Sequence, residues 1–127
     1  MIQIKDTGVL ANLLLVPYHP ILIDILTWIF DKYQTNVITC GYRRNDAGVH
    51  GQLPCRGIDL RSSTYSAPRA VADDINSTWD YDPARPDMKV AMLHDVGQGM
   101  HIHLQVSDST VFYEHGKDSD ETLISKI

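Results

Sequence analysis

Polar and apolar side chains alternate in the stretch MHIHLQV, residues 100–106. Successive side chains of a β-strand point to opposite faces of its sheet. The pattern therefore predicts a strand with one apolar face that packs on a core. His101 and His103 share the other face, where they line a groove; the alternative is a pair of surface imidazoles on a half-exposed strand.

The rest of the chain is expected to supply two helices and several short strands. One helix is predicted at residues 19–33, with His19 at its start and Pro20 in the first turn, and another at residues 67–79, capped by Ser66. Strands are expected at residues 36–43, 57–62, 89–95, 100–106 and, more briefly, 110–114, with a hairpin connection at residues 96–99.

These elements predict an α+β fold with a mostly antiparallel central sheet and helices packed on one of its faces, since a hairpin joins antiparallel strands. At 127 residues the chain is expected to form a single domain, residues 1–127. Its core should lie at about residues 17–113, and residues 116–127 form a polar tail. Hydrophobic residues make up 43% of the chain, enough for a core without disulfide bonds.

The net charge of −5 argues against a nucleic-acid partner, because such proteins normally present a basic surface. No apolar run approaches the ~20 residues that span a bilayer, and the basic residues are too scattered to form a membrane-binding patch. The short apolar run at residues 13–17 lacks a basic start and a cleavage site. We therefore expect no signal peptide, no membrane partner and synthesis in the cytoplasm.

The two neighbouring histidines do not by themselves supply a catalytic zinc, which takes three protein N, O or S ligands and keeps one position for water. His50, in a glycine-containing loop, and Asp59, on the polar face of the strand at residues 57–62, complete the count with one histidine of the pair. Taken alone, each is also typical of an exposed surface. Cys40 and Cys55 lack CxxC spacing, so a disulfide, free thiols, and Cys55 as a soft zinc ligand all stay open.

The segment VITCGYRRNDAGVHGQLPCRGIDLR, residues 37–61, followed by GMHIHLQV, residues 99–106, resembles the zinc peptidases of the D-alanyl-D-alanine carboxypeptidase and murein endopeptidase group. That group shares the hedgehog/DD-peptidase fold with the hedgehog signalling domain and the lysostaphin-type endopeptidases. The resemblance implies that His50, Asp59 and His103 bind Zn²⁺.

The same resemblance assigns catalytic roles to His101 and to Arg43, the arginine of TCGYR, which also binds substrate; Arg44 is a second substrate-binding candidate. Position 100 is methionine where the carboxypeptidases place a glutamate, and this favours the endopeptidase type. The implied activity is zinc-dependent hydrolysis of an amide bond in peptidoglycan peptides. A metal-activated water attacks, and His101 takes a proton or stabilises the oxyanion.

A short domain of this kind without a signal peptide resembles a phage or prophage product, which acts on the cell wall after lysis or as part of a virion with other virion proteins. A first alternative is a catalytically inactive phage structural or wall-binding module that keeps the metal. A second is a cupin, but only 24 residues follow His103, too few for the second cupin histidine motif. His94 either approaches the site near the turn or, in the favoured interpretation, faces solvent.

Overall fold

The computed structural model describes residues 2–95 and 99–113. Within these ranges there are three helices and seven strands. In chain order they are β1 (Ile2–Ile4), α1 (Thr7–Leu15), α2 (Pro20–Tyr33), β2 (Asn36–Cys40), β3 (Gly57–Arg61), α3 (Pro68–Thr78), β4 (Trp79–Asp80), β5 (Ala91–Asp95), β6 (Met100–Gln105) and β7 (Val111–Phe112). Most of the predicted hairpin connection and all of the predicted polar tail lie outside the described residues.

Five of the strands form one sheet in the order β1-β2-β3-β6-β5, and β4 pairs with β7 separately. The pairings β2–β3, β3–β6 and β6–β5 are antiparallel, and only β1 runs parallel to its neighbour β2. The predicted α+β class with a mostly antiparallel sheet is therefore confirmed. Every helix and strand predicted from the sequence is present, with slightly shorter bounds.

The apolar face of β6 packs on the core, as its alternation predicts. Ile102 and Leu104 are fully buried and belong to one cluster with apolar residues of α2 and α3. From α2 the cluster takes Leu22, Ile25, Leu26 and Ile29, and from α3 it takes Val71, Ala72 and Ile75. The polar residues Asp24, Thr27 and Asp31 lie on the opposite side of α2 and are exposed. These two helices thus cover one face of the sheet. The histidines of β6 lie on the opposite face, where the candidate site is.

The helix starts agree with the sequence analysis at α2 and differ at α3. His19 caps α2, and its Nδ1 accepts a hydrogen bond from the Ile21 N–H at 3.2 Å. The N-cap of α3 is Ala67 rather than the predicted Ser66, and it makes no side-chain hydrogen bond. Because Pro68 occupies the first helical position, it fixes the start of this helix without a side-chain cap.

The first strand and the first helix lie before residue 17, where the sequence analysis placed no element. Asp6 caps α1 by accepting a hydrogen bond from the Val9 N–H at 2.9 Å. The α1 sequence TGVLANLLL is apolar on nearly every side, so it shows no alternation of apolar and polar faces that would have indicated an amphipathic helix. None of the helices in residues 2–95 and 99–113 is both long and apolar enough to cross a membrane.

Candidate metal centre

A buried carboxylate, Asp59, lies at the centre of three imidazoles. In the β3–β6 pairing Asp59 lies directly opposite His103, and His103 Nδ1 is 3.0 Å from Asp59 Oδ1. His50 Nε2 is 3.3 Å from the same oxygen, and His101 Nε2 is 3.6 Å from Asp59 Oδ2. The predicted ligands His50 and His103, and His101 with them, thus lie around the carboxylate of Asp59.

The loop between β2 and β3 places His50 against this carboxylate. His50 lies in a single 3₁₀ turn, Val49–Gly51, and its imidazole Nδ1 donates to the Gly41 carbonyl at 2.8 Å. Gly41 lies so close to the Tyr18 hydroxyl that a Cβ at this position would clash with it. The same hydroxyl accepts a hydrogen bond from the Tyr42 N–H at 2.7 Å. Tyr18 therefore holds the end of β2 in the position that orients His50.

The hydrogen bond of His50 leaves its second ring nitrogen available to a cation. A carbonyl oxygen only accepts, so Nδ1 donates to Gly41 and Nε2 is the nitrogen that faces Asp59. Nε2 makes no hydrogen bond despite facing Asp59 Oδ1, and the residue is only 3% exposed. A proton or a metal ion between Nε2 and Oδ1 makes such a buried approach favourable. This orphaned nitrogen is the strongest single indication of a metal position.

Gln105 assigns the tautomer of His103 in the same way. The Gln105 side-chain N–H donates to the Lys89 carbonyl at 2.9 Å, which turns its Oε1 toward His103 Nε2 at 3.2 Å. His103 Nε2 therefore donates to Gln105, and Nδ1 is the nitrogen that faces Asp59, where a metal ion could bind it. Metal-binding histidines typically have their other nitrogen fixed by such a hydrogen bond.

The donor set fits zinc in chemistry and in spacing. Two ligands on one tetrahedral zinc, at bonds of about 2.0–2.2 Å, lie about 3.4 Å apart. The separation of His50 Nε2 and Asp59 Oδ1 is 3.3 Å. Burial opposes ionisation of Asp59, but the facing His103 and His50 outweigh it and hold the carboxyl pKa well below its usual value. Asp59 is consequently an anion at neutral pH, as a metal ligand requires.

A cysteine that the sequence analysis did not select also lies at this site. Donor atoms of Cys40, His50 and Asp59 all lie within 4.8 Å of one another, so in the described part of the chain these three residues form a group that could hold a metal ion. His103 touches Asp59 but is not a member of that compact group. The group offers one thiol, one imidazole and one carboxylate.

Cys55, the cysteine that the sequence analysis did consider, has a different environment. Its thiol is fully buried and lies near the carbonyls of Val49, His50 and Gly57. Both cysteines are free, so they do not form a disulfide. Cys55 therefore packs under the loop that carries His50 and is outside the metal-binding group.

A cavity of about 660 Å³ opens beside the carboxylate. Asp59 and His101 line it from the sheet, and α1 closes one side with Val9 and Asn12. Its cationic residues are Lys5, Arg43 and Arg61. The two arginines that the sequence analysis chose as substrate ligands are both exposed. Arg43 lines this cavity and pairs with Asp46 at 3.1 Å, whereas Arg44 does not line it.

His94 approaches the cluster near the turn, as one of the two interpretations had it, although its side chain is only partly buried. It lies opposite His101 in the β5–β6 pairing, and the two rings are 4.8 Å apart. Its ring is 5.4 Å from that of His103. Burial and then the neighbouring imidazoles lower the pKa of His94 below its usual value, which keeps the ring neutral at pH 7. The alternation along residues 89–95 carried this signal, because it places His94 on the histidine face.

Comparisons with protein-family models, with curated proteins and with solved structures give no match to this chain.

Proposed function

We propose that this protein is a zinc-dependent hydrolase that cleaves an amide bond in peptidoglycan peptides. The proposal includes the hedgehog/DD-peptidase fold and the zinc ligands His50, Asp59 and His103. Zinc is the metal of choice because N, O and S donors in a small buried site suit it better than they suit Mg²⁺ or Ca²⁺.

One observation carries the proposal. His50 Nε2 and His103 Nδ1 both face Asp59 Oδ1, at 3.3 and 3.0 Å. The other ring nitrogen of each histidine is held by a hydrogen bond, to the Gly41 carbonyl and to Gln105 Oε1. A divalent cation at this point would take both facing nitrogens and the carboxylate as ligands, so we infer that the arrangement is a metal site.

The roles of the surrounding side chains follow from their positions. Zinc bound there would supply an activated water and polarise the carbonyl of the scissile amide. His101 borders the cavity and is not needed as a ligand, so its ring is free to take a proton or to donate to the developing oxyanion. Two neutral imidazoles and one carboxylate leave a net charge of about +1 on the centre, which favours an anionic transition state.

The cavity favours an acidic substrate. Lys5, Arg43 and Arg61 line it, whereas Asp59 is its only carboxylate among the described residues and is already surrounded by imidazoles. Cell-wall peptides that carry free carboxylates match this charge. Arg43 is the candidate ligand for one such carboxylate because a guanidinium binds it through two parallel hydrogen bonds.

A second function, an inactive wall-binding or virion module that keeps the metal, is supported by specific observations. Residue 100 is methionine and is exposed, so no carboxylate base comes from this position. The Cys40 thiol lies close enough to occupy a coordination position that catalysis leaves to water.

Purified peptidoglycan tests the proposed activity. The zinc-loaded protein should release soluble peptide fragments that mass spectrometry assigns to one cleaved amide bond. His103→Ala, with its fold checked by circular dichroism, should release none. A zinc-replete and folded wild-type protein that leaves the wall polymer intact would refute the enzymatic proposal and favour the binding module.

A further inference from the structure

Cys40 lies on the face of the sheet that carries the site because β2 is irregular. Ile38 lies opposite Leu60 and Cys40 lies opposite Asp59, so the register shifts between them and two residues of β2 oppose one step of β3. In regular alternation Cys40 would share the face of Ile38, which belongs to the core. The bulge turns the thiol toward Asp59 and the cavity instead. Bulges beside functional sites often re-aim a side chain in this way.

The distances around Cys40 suit a shared metal ligand. The donor atoms of Cys40, His50 and Asp59 lie within 4.8 Å of one another, not far above the about 3.3–3.8 Å between ligands on one tetrahedral zinc. The unpartnered and buried His50 Nε2 is an independent indication that this point binds a cation. The Cys40 thiol also lies near the Gly41 carbonyl, at 3.6 Å.

We propose that Cys40 Sγ is a fourth protein ligand of this metal, so that the resting centre is a closed Cys-His-Asp-His site. The inference rests on the metal centre of the proposed function but not on its peptidase activity. As the sulfur–metal bond forms, the thiol proton leaves to solvent and one water leaves the metal. No oxidant or reductant takes part, because the thiol only exchanges its proton for the metal ion.

A fourth ligand changes what the centre can do. With the Cys40 thiolate bound, two neutral imidazoles and two anionic ligands bring the net charge to about zero, and no position is left for water. Hydrolysis then requires the thiolate to leave and to regain its proton. A soft sulfur ligand also selects zinc over the hard cations Mg²⁺, Ca²⁺ and Mn²⁺.

Cobalt substitution tests this directly. The Co²⁺-loaded wild-type protein should show a near-ultraviolet sulfur-to-cobalt charge-transfer band. Cys40→Ser should lose the band and still bind about one Co²⁺ per chain through the remaining ligands, whereas Cys55→Ala should keep it. No band in the wild type, or a band that survives in Cys40→Ser, would overturn the inference.

A second measurement uses the wild type alone, so it tests the proposal even if the Cys40→Ser variant fails to fold. In the wild type, zinc should protect Cys40 from alkylation, read by peptide mass spectrometry, and removal of zinc by a chelator should abolish that protection. Equal alkylation with and without bound zinc would contradict the proposal. Metal binding without the cobalt band leaves the hydrolase proposal standing, and a cobalt band in a protein that never cleaves peptidoglycan refutes the hydrolase alone.

Discussion

The free nitrogens of His50 and His103 are set by residues outside the proposed ligand group. The Gly41 carbonyl holds the hydrogen of His50 Nδ1, and Gln105 Oε1 accepts the hydrogen of His103 Nε2. Gln105 is itself held by the Lys89 carbonyl. The protein itself therefore orients the two imidazoles for metal binding. Single substitutions of the residues that hold them test the proposed metal site.

Gln105→Leu should weaken zinc binding about 10–100-fold, the usual cost of removing the partner that orients a metal-binding histidine. The leucine cannot accept a hydrogen bond from His103 Nε2, so the tautomer that leaves Nδ1 free for the metal is no longer stabilised. Affinity is measured by competition with a chromophoric chelator. Gln52→Leu, at an exposed glutamine whose side chain pairs with Arg56, is the matched control and should leave the affinity unchanged. Equal zinc affinities for the two variants would show that Gln105 does not orient His103 for metal binding.

Arg43→Ala and Arg44→Ala form a second matched pair. Arg43 lines the cavity and Arg44 does not. Loss of a charge-assisted hydrogen bond worth about 1.5–3 kcal/mol should lower kcat/KM about 10–150-fold in Arg43→Ala. Arg44→Ala should stay close to the wild type. Peptide cleavage rates at low substrate concentration measure both, and a larger loss in Arg44→Ala would reverse the assignment.

At the scale of elements, regular patterns were predictable and irregular ones were not. The alternation along β6 predicted both its buried face and its histidine face, since a strand has a fixed two-residue period. The same rule predicts, wrongly, that Cys40 points into the core, because nothing in the sequence indicates the bulge in β2. α1, which lines one side of the cavity, was not predicted because its sequence is apolar on nearly every side and shows no amphipathic period.

A tether between α2 and α3 gives an element-scale prediction. Asp74 of α3 accepts from the Tyr33 hydroxyl at 2.5 Å and pairs with Lys32 at 2.7 Å, both on α2. Asp74→Ala should lower the free energy of unfolding at pH 7 by about 1 kcal/mol relative to Asp73→Ala. Asp73 is an exposed neighbour in the same helix, so the comparison cancels the gain in helix propensity.

The pH dependence of this tether has a definite sign. Burial opposes ionisation of Asp74, but Lys32 and Tyr33 outweigh it and lower the pKa of the carboxyl. A lowered pKa contributes stability above the unfolded-state value of about 3.9, and that contribution is lost as the pH falls through the folded-state pKa. The difference between the two variants should therefore shrink below about pH 4 in urea titrations. A constant difference from pH 7 to pH 3 would show that the carboxylate charge does not contribute.

At the scale of the whole molecule, the chain carries a net charge of −5 and yet lines its site cavity with three cations. The sequence predicted the proposed ligands because they lie on strands and on a short anchored loop. The sequence analysis did not identify Lys5 and Arg61 as cavity residues. Their proximity in the cavity depends on β1 pairing with β2 at the edge of the sheet and on the position of α1 beside it. The sequence therefore indicates the proposed metal ligands better than it indicates the cavity residues that would contact a substrate.

Anomalous diffraction at the zinc absorption edge, from crystals of the zinc-loaded protein, locates the proposed metal without assuming its ligands. One anomalous peak is expected, within about 2.0–2.2 Å of His50 Nε2, Asp59 Oδ1 and His103 Nδ1. A peak at any other position, or none at these three atoms in a protein that elemental analysis shows to contain zinc, would contradict the proposed metal site.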